Sequence, residues 1–241
     1  MKVKLLGTGT CVPSLQRLSS SYLVRTKQLN VLVDVGPSVV RRLLEYGYTT
    51  RDIDVIVLTH FHVDHSADLS TFLFASNYDV VPRTKELAII GGEGFQDFYR
   101  GLLTIYPWLL PKSYELFPHE LQGGVLKKSG IVITTSHMEH CKESVGVRIE
   151  EGKSVVFSGD TDYTHNLVRL AEGADLLFVE CSFPERKAPG HLNLAEVQKV
   201  VDQEQPRKQE QRPGKARFWV IARSITPLSR CSARPRQWPL R

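Results

Sequence analysis

No stretch of the 241 residues approaches the roughly 18–20 consecutive apolar positions that a membrane-spanning helix needs. Cysteine is scarce and scattered. Cys11, Cys141, Cys181 and Cys231 form no Cys-x-x-Cys pair, which argues against both a disulfide framework and a structural zinc knuckle. The N-terminus enters a strand pattern at once and lacks an apolar signal region before a small-residue cleavage site. A cytoplasmic protein with no membrane association is the expectation from these absences. No internal repeat of solenoid length is present either.

The formal net charge is +5, which invites a nucleic-acid reading, but it is unevenly placed. Residues 203–241 hold ten Lys or Arg against two Glu, a net of +8, so the first 202 residues carry −3 of the total. The basicity belongs to the C-terminal stretch and is weak grounds for a polyanion-binding body.

What is there, over the first 200 residues, is an alternation of short apolar runs and amphipathic stretches. Strands are expected at Val3–Leu6, Ser20–Arg25, Val31–Val35, Val55–Leu58, Leu87–Ile90, Ile131–Thr134, Ser144–Ile149, Ser154–Ser158 and Leu176–Glu180. A helix should follow Pro37 and stop at Gly47, and a second should begin near Asp64, with Leu69, Phe72 and Leu73 inward. Further helices are expected over Phe95–Tyr106, 165–172 and 193–203, the last capped by Asn193.

The chemistry concentrates in one run. His60, His62, Asp64 and His65 lie within six residues, directly after the apolar segment Val55–Leu58. On an extended strand end, residues two apart point the same way, so His60 and His62 can grip one ion. Asp64 and His65, where the chain turns into a helix, can face a second. Imidazole and carboxylate donors suit zinc, with manganese or iron as alternatives.

This His-x-His-x-Asp-His pattern resembles the signature of the metallo-β-lactamase-fold hydrolases. The opening Leu-Leu-Gly-Thr-Gly-Thr, Val-Leu-Val-Asp-Val-Gly-Pro at 31–37 and Phe-Ser-Gly-Asp-Thr at 157–161 are also similar to that fold, in its ribonuclease Z and phosphodiesterase branch. The resemblance covers roughly residues 1–200. It implies an α/β, αββα four-layer sandwich formed by a single domain over 1–203, with two divalent ions. His60, His62 and His140 would bind the first ion; Asp64, His65 and a bridging Asp160 would bind the second. His140 is preferred to His137 because a Ser/Gly-containing strand follows it at the family's spacing, and His137, His119 and His165 are read as exposed loop residues. Asp34 would support the histidines of the first motif from behind. His191, in Gly-His-Leu-Asn-Leu-Ala-Glu, is similar to the ribonuclease Z segment whose His sits near the scissile phosphate, and Glu180 would orient it.

The implied activity is metal-dependent phosphodiester hydrolysis by a hydroxide shared between the two ions, with Asp64, His191 and Glu180 as catalytic residues. Small or cyclic phosphodiesters, or an RNA 3′ end, are the expected substrates. True tRNA-processing members carry a long arm between the third-motif His and the fourth-motif Asp, and the twenty residues from His140 to Asp160 leave no room for it. A thioester, lactone or sulfate-ester hydrolase on the same fold is the competing class. Relatives are often dimers, so a homodimer is possible, and Phe95–Leu110 is a contact, a substrate wall or core.

Beyond about residue 203 the character changes to an Arg/Pro-rich basic tail holding two of the three Trp residues. The resemblance calls for one more His ligand after the last helix, yet no His follows His191. Codons for Ile225-Thr-Pro-Leu-Ser-Arg-Cys231, moved by one base, can read Ser-His-Leu-Tyr-Pro-Asp-Val, much like the missing motif. The segment 204–241 is therefore read as out of frame or disordered, and the chain as a possible impaired relative that binds metal without turnover.

Overall fold

The computed structural model describes residues 1–204, 217–222 and 238–239. They divide into two compact units, one formed by Met1–Glu120 and joined by the strand Trp238–Pro239, the other beginning at Leu121.

The first unit is a seven-stranded sheet. Strands β1 (Lys2–Gly7), β2 (Ser21–Arg25) and β3 (Asn30–Val33) are antiparallel neighbours. From β3 onward, β4 (Val55–Val57), β5 (Leu87–Gly91) and β6 (Leu116–Glu120) run parallel. The last strand of the chain, β13 (Trp238–Pro239), pairs with β1 at the far edge. Strands β4 and β5 are buried at every position, as near-continuous apolar runs in a parallel sheet should be. Helices α1 (Val39–Glu45), α3 (Asp68–Tyr78) and α4 (Phe95–Ile105) close one core over this sheet, with the short α2 (Val63–Ser66) leading into α3. Val39, Leu43, Leu69, Phe72, Leu73 and Phe95 pack there with Leu32, Ile56 and Ile89. Each such buried side chain contributes about 1.5–3 kcal/mol. The α1 N-terminus, where Ser38 supplies no cap, is satisfied instead by Asp68, whose Oδ2 accepts the Val40 N–H at 3.0 Å.

The fully buried Arg83 ties this unit together behind β5. Its guanidinium donates to the carbonyls of Thr50 at 2.6 Å and Glu86 at 2.5 Å, and burial lowers its pKa. The neighbouring Tyr114 phenol is pushed up to about 12 by burial.

The second unit is a six-stranded sheet. Strands β7 (Val125–Lys128), β8 (Ile131–His137), β9 (Val145–Glu151) and β10 (Lys153–Phe157) form an antiparallel run. Then β11 (Leu176–Cys181) and β12 (Arg217–Ala222) continue it in parallel. Helices α5 (His165–Ala171) and α6 (Leu194–Glu204) lay Leu167, Leu170, Val197 and Val200 on Leu177 and Val179. Asn193 caps α6 as the sequence suggests: its Oδ1 accepts the Glu196 N–H at 3.0 Å, and Glu196 Oε2 accepts the Asn193 N–H at 3.1 Å.

Strands β6 and β7 have no counterpart in the sequence expectations. β6 carries Pro118 at its centre, a residue tolerated in a strand only at an edge, and β6 is an edge. Of the C-terminal stretch, β12 and β13 fall on described residues, whereas the segment 225–231 invoked for a shifted reading frame lies outside them. Among the described residues no helix is long and apolar enough to cross a membrane.

Candidate metal centre

In the first unit the donors sit where the buried parallel strand β4 ends. Leu58 still donates to Ile90 across the sheet at 2.8 Å, and the chain then leaves as Thr59–His65. This loop is drawn onto β3: Val35 donates its N–H to the His65 carbonyl at 2.7 Å, and a Cβ on Gly36 would stand 1.9 Å from the Asp64 carbonyl oxygen. Only glycine permits that approach.

Asp34, at φ 60°, holds the centre of the motif from below. Asp is among the few residues that adopt this left-handed conformation readily. The Ser21 hydroxyl grips its carbonyl at 2.7 Å. Its Oδ1 accepts the Thr59 N–H at 2.8 Å; Oδ2 lies 2.7 Å from His65 Nδ1 and 3.0 Å from the Thr59 hydroxyl. A carboxylate only accepts, so His65 donates Nδ1–H and Thr59 spends its single hydroxyl proton on Asp34. The Thr59 oxygen, 3.1 Å from His60 Nδ1, must then be the acceptor there. Both buried histidines are thereby fixed as Nδ1–H tautomers with the lone pair on Nε2. The His60 ring centroid lies 4.6 Å from that of the exposed His62 and 4.0 Å from that of His65, and Asp64 Oδ2 lies 3.7 Å from His65 Nε2.

The second unit repeats the device. Asp160 follows β10 through Gly159, at φ 61°, and is buried. His140 follows β8, and its Nδ1 lies 2.9 Å from the Gly190 carbonyl, an obligate acceptor. His191 Nδ1 lies 3.0 Å from Glu180 Oε1. Glu180 is itself buried at the end of β11 and accepts from the N–H groups of Thr161 at 2.9 Å and Ser182 at 3.0 Å, and from the Ser182 hydroxyl at 2.6 Å. His140, Asp160 and His191 offer ligand atoms all within 4.8 Å of one another. A cavity of about 890 Å³ borders His140, with Lys142, Tyr163 and Asn166 in its walls. Burial pushes the thiols of Cys141 and Cys181 up to about 11.

The donor chemistry fits divalent ions: imidazole nitrogens and carboxylate oxygens, with each buried or half-buried imidazole held by Nδ1 to a protein acceptor. Three other histidines are placed differently from expectation. His137 is the last residue of β8 with Nδ1 2.6 Å from Gln122 Nε2, His119 lies within β6, and His165 opens α5, so none of them is a loop residue. His137 is held by Gln122, His119 sits in an edge strand, and His165 is exposed, as expected, with its ring against that of Tyr163. Sequence reasoning assigned no role to Thr59, Gly190, Thr161 or Ser182, which set the orientation of the donors. Their contribution is a hydroxyl or a backbone group, which leaves no mark in residue spacing.

The model of the metallo-β-lactamase superfamily matches residues 15–199, and the chain belongs to that superfamily of metallo-hydrolases. Among its relatives is the Ribonuclease Z of Mycolicibacterium gilvum (strain PYR-GCK), 32% identical over 196 residues that cover 73% of this chain and 67% of the relative. The probable metallo-hydrolase YhfI of Bacillus subtilis (strain 168) is 28% identical over 209 residues, covering 83% and 82%. The crystal structure of human tRNase Z, short form, superposes with a TM-score of 0.77 at 22% identity, over 93% of each chain, and so shares the fold.

Proposed function

We propose that this chain is a metal-dependent phosphodiester hydrolase, ribonuclease Z-like but without a tRNA-clamping arm. His60, His62, Asp64, His65, His140 and Asp160 hold two divalent ions, zinc in the first instance, with manganese or iron as alternatives. The observation that carries this reading is tautomeric. His60, His65, His140 and His191 each have Nδ1 against an acceptor of the protein, so that each presents Nε2 as a donor. Spending four imidazoles in one orientation on a merely structural role is improbable chemistry. The ions, when bound, supply an acidified water and positive charge against the attacked phosphorus.

The protein's own groups do the rest. Asp64 takes the proton of the attacking water. Glu180, fixed by its three other hydrogen bonds, holds the His191 ring by Nδ1, and in its doubly protonated form His191 would donate Nε2–H to the leaving oxygen. Substrate breadth follows from what separates His140 and Asp160, namely the hairpin β9–β10 turned at Gly152. With no insertion between His140 and Asp160 long enough to form an arm, small or cyclic phosphodiesters are favoured over the tRNA substrate, and an RNA 3′ end remains within the class. The relatives named Ribonuclease Z support the phosphodiester over a carboxylic ester or thioester.

Replacing Asp64 or Asp160 by Ala should cut turnover of bis(p-nitrophenyl) phosphate by at least about a hundredfold. Full activity in either variant would overturn the assignment, and preferential cleavage of chromogenic thioesters by the parent protein would move it to the competing class. The sequence has no His after His191, which favours a second reading in which one ion is tight and the other loose. Elemental analysis showing near one ion per chain, with activity rising on added Zn²⁺ or Mn²⁺, would select it.

A further inference from the structure

We propose that Lys187 is a positioning residue: its ammonium locks the turn 187–191 so that Gly190 and His191 present their groups to His140 and Glu180. The proposal rests on the reading of His140 as a metal ligand and concerns what aims that ligand.

Lys187 has no counterpart in the motifs, and its side chain is 43% exposed. An exposed lysine is ordinarily a solvated charge of little structural consequence. Here its ammonium has four acceptors from three parts of the second unit. It donates to Asp162 Oδ1, to Glu196 Oε1 and Oε2 at 2.9 Å each, and to the His191 carbonyl at 3.2 Å. Asp162 belongs to the loop after β10, and its Oδ1 also accepts the Tyr163 N–H at 2.8 Å. Glu196 belongs to the α6 capping box, so its carboxylate is already committed in direction. The ammonium thus joins two fixed carboxylates to a turn of irregular backbone.

The turn carries the other end of the relay. Ala188 and His191 form an isolated bridge, with the His191 N–H 3.1 Å from the Ala188 carbonyl, and Gly190 at φ 74° reverses the chain. Asp162 Oδ2 accepts the Gly190 N–H at 3.4 Å, so the same carboxylate that holds Lys187 also steadies the peptide on one side of Gly190. The carbonyl on its other side receives His140 Nδ1. The fit there is close: a Cβ at position 190 would stand 2.8 Å from His140 Nδ1. A small rotation of the turn therefore removes the acceptor that fixes the His140 tautomer, and swings His191 off Glu180, its ring centroid being 4.8 Å from that of His140. Because the Lys187 contacts are solvent-accessible, their loss should cost little global stability while loosening donor geometry. Partners of this kind change metal affinity by about 10–100-fold when removed.

The test compares the full-length chain with its Lys187→Met and Lys187→Arg variants. Lys199→Met is the charge control, since Lys199 lies on α6, the helix that carries Glu196, but stacks on the Tyr163 ring instead. Zn²⁺ affinity is measured by competition with a chromophoric chelator. Histidine side-chain ¹⁵N spectra of the metal-stripped chain report the tautomer of His140 and His191. The expected result is a tenfold or greater loss of Zn²⁺ affinity in Lys187→Met (about the lower end of that range), at most a small change in Tm, averaging of the two tautomers, partial recovery in Lys187→Arg, and no effect of Lys199→Met. Unchanged tautomers and unchanged affinity in Lys187→Met would overturn the proposal, as would an equal loss in Lys199→Met. Failure of the parent chain to bind Zn²⁺ would sink the metal-ligand reading instead, and the tautomer spectra would still decide whether Lys187 sets the turn.

Discussion

At the scale of single residues, the first-unit donors depend on a methyl group that is not there. A Cβ at Gly36 would meet the Asp64 carbonyl oxygen at 1.9 Å and the Ser19 Cβ at 2.5 Å. Neither obstacle is a flexible side-chain tip, so relief requires the 59–65 loop to lift off β3. Gly36→Ala should therefore destabilise the chain by about 3 kcal/mol and weaken Zn²⁺ binding at the same time, as read by urea unfolding and by chelator competition. Parent-like values in both would show that the loop is not held where described. The proposed donors His60, His62, Asp64 and His65 stand out in the sequence because a metal site of the proposed kind takes several ligands from one short run, and spacing records that. What orients them was not. Gly190 acts through a carbonyl oxygen that any residue possesses, and Thr59 through a hydroxyl whose direction is decided by Asp34, 25 positions earlier.

At the scale of elements, the sequence revealed strands in proportion to their burial. β4 and β5 are continuous apolar runs and β11 is one as far as Glu180; all three are buried throughout and were expected within a residue or two. β6 and β7, at sheet edges, are half-exposed and carry Pro118 or a Lys pair, so edge position rather than apolar patterning makes them strands. How β10 begins is also a matter of side-chain bonds. Asp175 Oδ2 accepts the Ser154 N–H at 2.8 Å, and its Oδ1 accepts from Lys153 Nζ at 2.8 Å. Burial raises the pKa of this carboxyl, but the Lys153 ammonium and the Ser154 bonds outweigh it and hold the group below its ordinary value. A carboxyl depressed in the folded state contributes stability above its unfolded pKa and loses it as pH falls through the folded one. Asp175→Asn should thus cost at most about 1 kcal/mol at pH 7, given the exposure of Lys153, and the difference should shrink as the pH is lowered toward 3. Denaturation curves that keep a constant gap across this range would contradict the charged role of Asp175.

At the scale of the whole molecule, the proposed ligands come from two very different separations along the chain, and this sets how metal and folding are linked. An ion stabilises the native state only by the excess of its affinity there over its affinity for the unfolded chain. His60, His62, Asp64 and His65 remain neighbours after unfolding and can still hold an ion weakly. His140 and Asp160 join them only in a folded chain, on the proposed reading, so most of the affinity is native-specific. At a free-ion concentration about a thousandfold above Kd, the linkage is worth about 4 kcal/mol, less the residual binding of the local run. For a domain of this size that corresponds to a fall in Tm of roughly 10 °C when EDTA removes the metal. The reverse, recovery on adding back Zn²⁺, should follow the logarithm of free Zn²⁺ rather than saturate at one equivalent, because mass action continues to favour the bound native state. His140→Ala is expected to abolish most of the EDTA effect while leaving the 60–65 run intact, which separates native-specific affinity from the local kind. A Tm indifferent to EDTA in the parent chain, measured by calorimetry at fixed pH, would mean that these donors do not meet around tightly bound ions.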